Sequence, residues 1–195
     1  MRRRVRAEHP DWHAAPVPAV GPDDAHLLVV GLAPGMRGAN RTGRPFVGDD
    51  AGALLYPALA RAGFAAERGA GRWRLLDARI TNAVRCVPPG NRPLPEERRH
   101  CAPFLERDLG RLLRGGRRRR PAAILALGAV AHEAVLRLLG RRVRDFPFGH
   151  GAEHPLAARV TLVDAYHPSR YNVHTGRLTE AMFDDAVAAA RRALG

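Results

Sequence analysis

The chain of 195 residues contains no lysine, no glutamine and one serine, Ser169. Each absence removes a class of chemistry. Without lysine there is no phosphate-loop ammonium and no side-chain amine for a Schiff base. A serine hydrolase would have to run on Ser169, which lacks the Gly-x-Ser-x-Gly setting of a nucleophile elbow. Two cysteines, Cys86 and Cys101, are too few for a disulfide framework in a chain of this length. No apolar run reaches membrane-spanning length, and the Arg-rich stretch at 1–10 is followed by no apolar segment. The expectation is a soluble cytoplasmic protein with no membrane partner.

What is abundant is arginine. With 32 basic residues against 19 acidic ones the net charge is +13. Such an excess points to a polyanion, most simply nucleic acid. A GC-rich genome would explain arginine in place of lysine, but not the net charge. Hydrophobic residues make up 46% and charged residues 26%, a balance that supports a folded core. The length suits one domain. Residues 1–25 are charged and Pro-rich and look like an arm, and residues 26–195 look like a single domain.

The domain alternates apolar runs with helical patterns. Residues 26–30 predict a buried strand, 75–84 a second, 122–127 a third and 160–165 a fourth. Helices are predicted over 53–64, 96–113, 129–139 and 179–194. Pro57 and Pro103 sit awkwardly inside two of them, so the first should start late or kink. Asp49 or Asp50 can cap the first helix, Thr179 the last, and Gly140 can close the third. Strands apolar throughout, alternating with helices, predict a parallel sheet covered on both faces. The fold class is α/β, a three-layer α/β/α sandwich with a central parallel four-stranded sheet. Ligands of such sheets bind beyond the carboxyl ends of the strands. Three Gly-rich or polar loops fall there, at 31–50, 82–91 and 167–176.

The first loop is long, and its glycines allow close approach of backbone to a ligand. Phe46 within it is either a core aromatic pinning the loop or a stacking platform for a base. His167, at the exit of the fourth strand, is either structural or catalytic. The arginines at 117–120 precede the third strand, so they belong to the sheet edge opposite the crevice.

These loops also carry a resemblance. Gly31-Leu32-Ala33-Pro34-Gly35 with Asn40-Arg41-Thr42-Gly43-Arg44-Pro45-Phe46-Val47-Gly48-Asp49 resembles the first motif of family 5 (type B) uracil-DNA glycosylases. Thr81-Asn82-Ala83-Val84-Arg85-Cys86-Val87-Pro88-Pro89 is similar to their second. His167-Pro168-Ser169-Arg170-Tyr171-Asn172, followed by Thr175-Gly176-Arg177-Leu178-Thr179, is similar to their third. The order and spacing agree, over residues 10–194.

The resemblance implies a monofunctional DNA-repair glycosylase that flips uracil, and other deaminated bases, out of double- or single-stranded DNA and leaves an abasic site. It makes Asp49 and His167 catalytic, with His167 at a carbonyl oxygen of the departing base. Asp50 is adjacent and not separable from Asp49 by sequence. It sets Gly31, Ala33, Pro34, Gly35, Phe46 and Asn82 against the base, with Phe46 stacked and Asn82 on the hydrogen-bonding edge. It gives Ser169, Arg170, Tyr171 and Asn172 to DNA. It also implies a [4Fe–4S] cluster held by four cysteines, of which Cys86 and Cys101 match two. The N-terminal pair has no counterpart, so either the start is truncated, the favoured expectation, or the cluster has been lost. His9 and His13 are weak substitutes. A monomer is expected. The rival readings are a non-catalytic nucleic-acid-binding module on the same fold and a small-nucleotide hydrolase.

Overall fold

The computed structural model describes residues 2–114 and 120–195. Of the arginines at 117–120, residues 117–119 lie outside the described residues. Helix α1 spans Arg2–Glu8 and is followed after a long segment by strand β1, Leu27–Gly31. Then come α2 (Ala39–Thr42), α3 (Asp50–Arg61), β2 (Ala65–Glu67), β3 (Trp73–Leu75) and β4 (Ala78–Asn82). The second half holds α4 (Pro95–Arg114), β5 (Ala122–Leu127), α5 (Ala129–Leu138), β6 (Glu153–Ala157), β7 (Val160–Ala165), α6 (Arg170–His174) and α7 (Glu180–Arg192).

The main sheet has the order β4-β1-β5-β7-β6. Four strands are parallel, as predicted, but the sheet has five. Strand β6 pairs antiparallel with β7 at one edge, with a register shift between Pro155 and Ala157. Its sequence hid it, because Glu153, His154 and Pro155 break the apolar pattern and proline is tolerated only at edges and bulges. A separate hairpin of β2 and β3 also went unread. The predicted strand over 75–84 had merged the last residue of β3, a turn and β4.

Every residue of β1 and β5 is buried, as strands covered on both faces must be. Alternate residues face opposite layers. Leu27, Val29, Ile80, Leu125 and Val163 pack with Leu55, Leu59, Phe183 and Val187 of α3 and α7. Leu28, Val30, Ile124 and Leu162 pack with Leu105, Leu109, Val135 and Leu136 of α4 and α5. The three layers are therefore two helix pairs around one sheet.

Helix α3 begins at Asp50, earlier than predicted, and runs through Pro57. The missing amide of Pro57 removes one hydrogen bond without ending the helix, because buried Leu55, Tyr56, Ala58 and Leu59 anchor both sides of it. The segment read as an arm is bound to the domain. Val5, Ala14 and Val17 are buried, and Val20 exchanges two backbone hydrogen bonds with Ile80 of β4, at 2.8 and 3.0 Å. The arginine excess is also partly internal. Arg79, Arg85 and Arg111 converge on the buried carboxylate of Asp108, at 3.4, 2.8 and 3.5 Å. Among the described residues no helix is long and apolar enough to cross a membrane.

Candidate active site

The parallel strands β4, β1 and β7 end on the same edge of the sheet, at Asn82, Gly31 and Ala165, with β5 between β1 and β7, and the loops that follow these three line a cavity of about 350 Å³. Its lining includes Ala33, Pro34, Gly35, Phe46 and Asp49 from the first loop. Asn82 and Asn91 come from the second, and His167, Ser169 and Arg170 from the third. The site thus lies where an open parallel sheet binds ligands.

Gly31 does not itself line the cavity but packs behind two residues that do, Asn82 and Phe46. A side chain there would collide with Oδ1 of Asn82 and would lie 2.7 Å from Cζ of Phe46. Only glycine leaves room for both. Phe46 is 6% exposed and holds a left-handed backbone at φ 55°, uncommon for an aromatic residue. Its carbonyl is pressed against Gly52, where a Cβ would clash. The loop that carries it is braced by the Tyr56 hydroxyl, which donates to the Pro45 carbonyl at 2.9 Å. Phe46 is thus both a packed aromatic and a wall of the cavity.

Across the cavity is His167. Its ring centroid is 6.1 Å from that of Phe46, with the planes tilted by 35°. Burial pushes its pKa down to about 4, so the imidazole is neutral at physiological pH and keeps one N–H to donate. The loop behind it is tied locally. The Ser169 amide donates to the His167 carbonyl at 2.7 Å, and Nδ2 of Asn172 donates to the same oxygen at 2.8 Å. Asn172 therefore braces His167. Ser169 caps α6, accepting from the Asn172 amide. Arg170 reaches the cavity, whereas Tyr171 does not line it and is 72% exposed.

Asp49 caps α3, its carboxylate accepting from the Gly52 amide at 3.0 Å. Its free oxygen lies against Gly35 and Gly38, neither of which has room for a larger residue without displacing it. Burial raises its pKa above the usual carboxylate value, aided by the charge of Asp50 and opposed by the Gly52 and Ala51 amides. Asp50 also touches the cavity but is exposed. Asn82 is 4% exposed and its Oδ1 has no partner, an unusual state for a buried amide and one that a ligand donor would satisfy.

Asn91 was missed. It follows a Pro-Pro-Gly turn in the second loop and has a left-handed backbone at φ 56°. A polar residue in a turn beyond a strand end was the available signal.

The cysteines stand apart from the cavity. Cys86 follows β4, and Cys101 in α4 accepts from the Arg85 amide at 3.4 Å. A four-cysteine cluster needs four thiolates, and these residues supply two. His9 is stacked on Trp12 at 4.0 Å and His13 lies 3.3 Å from the Pro16 carbonyl. Among the described residues, the His/Cys/Asp/Glu trio close enough to share a cation is His132, His154 and Asp164, which contains neither cysteine. The residues present do not fit the cluster.

The arrangement defines a class: an α/β/α domain with a cavity of about 350 Å³ at the strand ends, walled by an aromatic ring, a neutral histidine and a partly buried carboxylate. The sequence model described as the uracil DNA glycosylase superfamily matches residues 18–191. A type-5 uracil-DNA glycosylase of Thermus thermophilus is 44% identical over 197 residues, spanning 100% of this chain and 87% of the relative. One of Mycobacterium bovis is 44% identical over 200 residues, spanning 100% of this chain and 72% of its own. A type-4 uracil-DNA glycosylase of Pyrobaculum aerophilum is 37% identical over 157 residues, 78% of this chain and 71% of its own. The chain belongs to the uracil-DNA glycosylase superfamily, in its type-5 family.

Proposed function

We propose that the chain excises uracil from DNA by hydrolysing the N-glycosidic bond, and that it acts as a cytoplasmic monomer. The observation that carries this reading is the pairing of Phe46 and His167 across a cavity whose polar lining includes Asn82 and Asp49. A base inside a duplex cannot reach such a cavity, so the nucleotide must swing out of the stack. The flipped base stacks on Phe46. Asn82, whose Oδ1 has no protein partner, pairs with an N–H of the base edge.

Bond cleavage then separates charge. The glycosidic electron pair leaves with the base, and the sugar becomes cationic. The neutral His167 N–H donates to a base carbonyl oxygen where the negative charge gathers. Asp49, ionised, stabilises the sugar cation and orients the water whose oxygen bonds to the anomeric carbon. The proton released from that water ends on the base or in solvent. Arg170 and Tyr171 face the DNA at the rim.

The test is incubation with a uracil-containing oligonucleotide followed by alkaline scission. Expected is a break at uracil and none at thymine or in free uridine. An uncleaved oligonucleotide that is nonetheless bound would overturn the reading and leave a binding module. Cleavage of free uridine would turn it toward a nucleoside hydrolase.

A further inference from the structure

His150 lies outside the residues that wall the cavity, yet both of its ring nitrogens are spent on backbone. Nδ1 is 3.0 Å from the Tyr166 amide nitrogen, and Nε2 is 3.0 Å from the Met182 carbonyl oxygen. An amide N–H can only donate and a carbonyl oxygen can only accept. Nδ1 is therefore the acceptor and Nε2 carries the hydrogen, so both partners demand a neutral ring in a single tautomer. Tyr166 is the residue before His167. Where β7 ends, its amide takes His150 as partner instead of another strand.

The Tyr166 side chain is gripped as well. Its ring lies 5.0 Å from that of His150 and 6.1 Å from that of Phe148, and the Arg177 guanidinium sits 4.5 Å from its centre. Met182 belongs to the first turn of α7, fixed by Thr179, whose hydroxyl accepts from the Met182 amide at 3.2 Å. His150 thus bolts the exit of β7 to the start of α7. Downstream, Asn172 holds the His167 carbonyl. The backbone of His167 is restrained from both sides.

We propose that His150 is a positioning residue for cleavage: it holds the β7 exit so that His167 faces Phe46 across the cavity. This rests on the functional reading above. Displacing a reacting group by about 1 Å can cost ~10²-fold in rate.

Two substitutions split the bolt. H150N puts an amide oxygen near the position of Nδ1 and keeps the acceptor for Tyr166. H150Q puts an amide nitrogen near Nε2 and keeps the donor to Met182. Single-turnover cleavage of a uracil duplex at saturating enzyme should fall by roughly 10- to 10²-fold in H150Q and H150A. H150N should recover most of the rate, and all three should bind the abasic product duplex like the wild type. In a His167→Ala background, H150A should add no further loss, because its effect passes through His167. Equal rates for H150N and H150Q, or the same loss with and without His167, would overturn the proposal. If H150A does not fold, the H150N and H150Q pair still decides. A wild type that fails to cleave uracil DNA would instead overturn the functional reading.

Discussion

The free oxygen of Asp49 rests against Gly38, so closely that a methyl group on that glycine would overlap the carboxylate. The other oxygen is held by the Gly52 amide at the start of α3. One residue therefore both starts a helix and faces the cavity, and its rotamer is fixed by the same contacts.

Asp49→Ala should lower cleavage by ~10² or more, the scale for loss of one electrostatic catalytic group. Asp50→Ala should cost much less, since Asp50 is exposed. Part of the Asp49 effect is stability, as loss of a cap costs about 1 kcal/mol. Single-turnover rates at a temperature where both variants are folded separate the two. A larger loss in Asp50→Ala would reassign the carboxylate.

His167 sets a pH expectation. Burial lowers its folded pKa to about 4, against 6.5 for an ordinary histidine. Between those values the unfolded chain binds a proton that the folded one refuses. Its contribution to stability is complete above pH 6.5 and is lost as pH falls through about 4. Nuclear magnetic resonance titration should find the ring neutral at pH 6, and His167→Gln should flatten the acid side of the stability curve. A ring that titrates near 6.5 would contradict the burial.

His132 behaves oppositely. Its Nδ1 is 2.8 Å from Asp164 and its Nε2 is 2.9 Å from the Phe146 carbonyl, so both nitrogens face acceptors. Burial alone would lower its pKa, but the hydrogen bond and charge of Asp164 and the Phe146 carbonyl outweigh it and raise the value. The stabilisation is present below the ordinary histidine pKa and lost as pH rises through the raised one. His132→Ala breaks a buried pair and should cost about 3–5 kcal/mol in chemical denaturation near pH 6. A cost that grows toward alkaline pH would refute the assignment.

Gly31→Ala tests the seating of Asn82 and Phe46 in the cavity. The added methyl must displace Asn82 or Phe46, and overpacking of this kind costs typically ~1–3 kcal/mol. Cleavage should fall more steeply than affinity for DNA, because in the proposed function the displaced groups meet the base and not the phosphates. Wild-type turnover in this variant would place the base elsewhere.

With no lysine, the protein has no side-chain amine to form an imine with the abasic sugar. Borohydride added during the reaction should trap no covalent protein–DNA adduct, as read by denaturing gel. A trapped band would reveal lyase activity.

Much of this site was legible because chemistry and strand ends coincide in the sequence. The run that became β5 is continuous and apolar, and that of β7 is interrupted only by Thr161 and Asp164, so their limits and the loops beyond them could be placed. His167 stood out as a candidate at the exit of β7, whereas the roles given to Asp49 and Asn82 came from the resemblance of their loops to the glycosylase motifs. Strand β6 was not legible, since Pro155 and its polar neighbours look like a loop until β7 is beside them. Helix α6 is five residues held by the Ser169 cap, too short for periodicity. His150 could not be read at all. Its meaning lies in two backbone groups, 16 and 32 residues away in sequence. The buried position of Val17 likewise comes from tertiary contact, here the Arg85 carbonyl that accepts its amide at 2.7 Å.

The pairing of Val20 with Ile80 bears on how the molecule behaves in a crowd of its own copies. Strand β4 is a border of the sheet, and its outward amide and carbonyl at Ile80 would otherwise be open to any extended chain. Val20 occupies them, while Pro155 and the register shift spoil the opposite border. Both margins thus carry an obstacle to strand-by-strand polymerisation, one of them a residue of the chain's own leading segment. Detaching that segment would uncover an adhesive edge, and the first sign would be concentration-dependent turbidity, ahead of any change at the cavity.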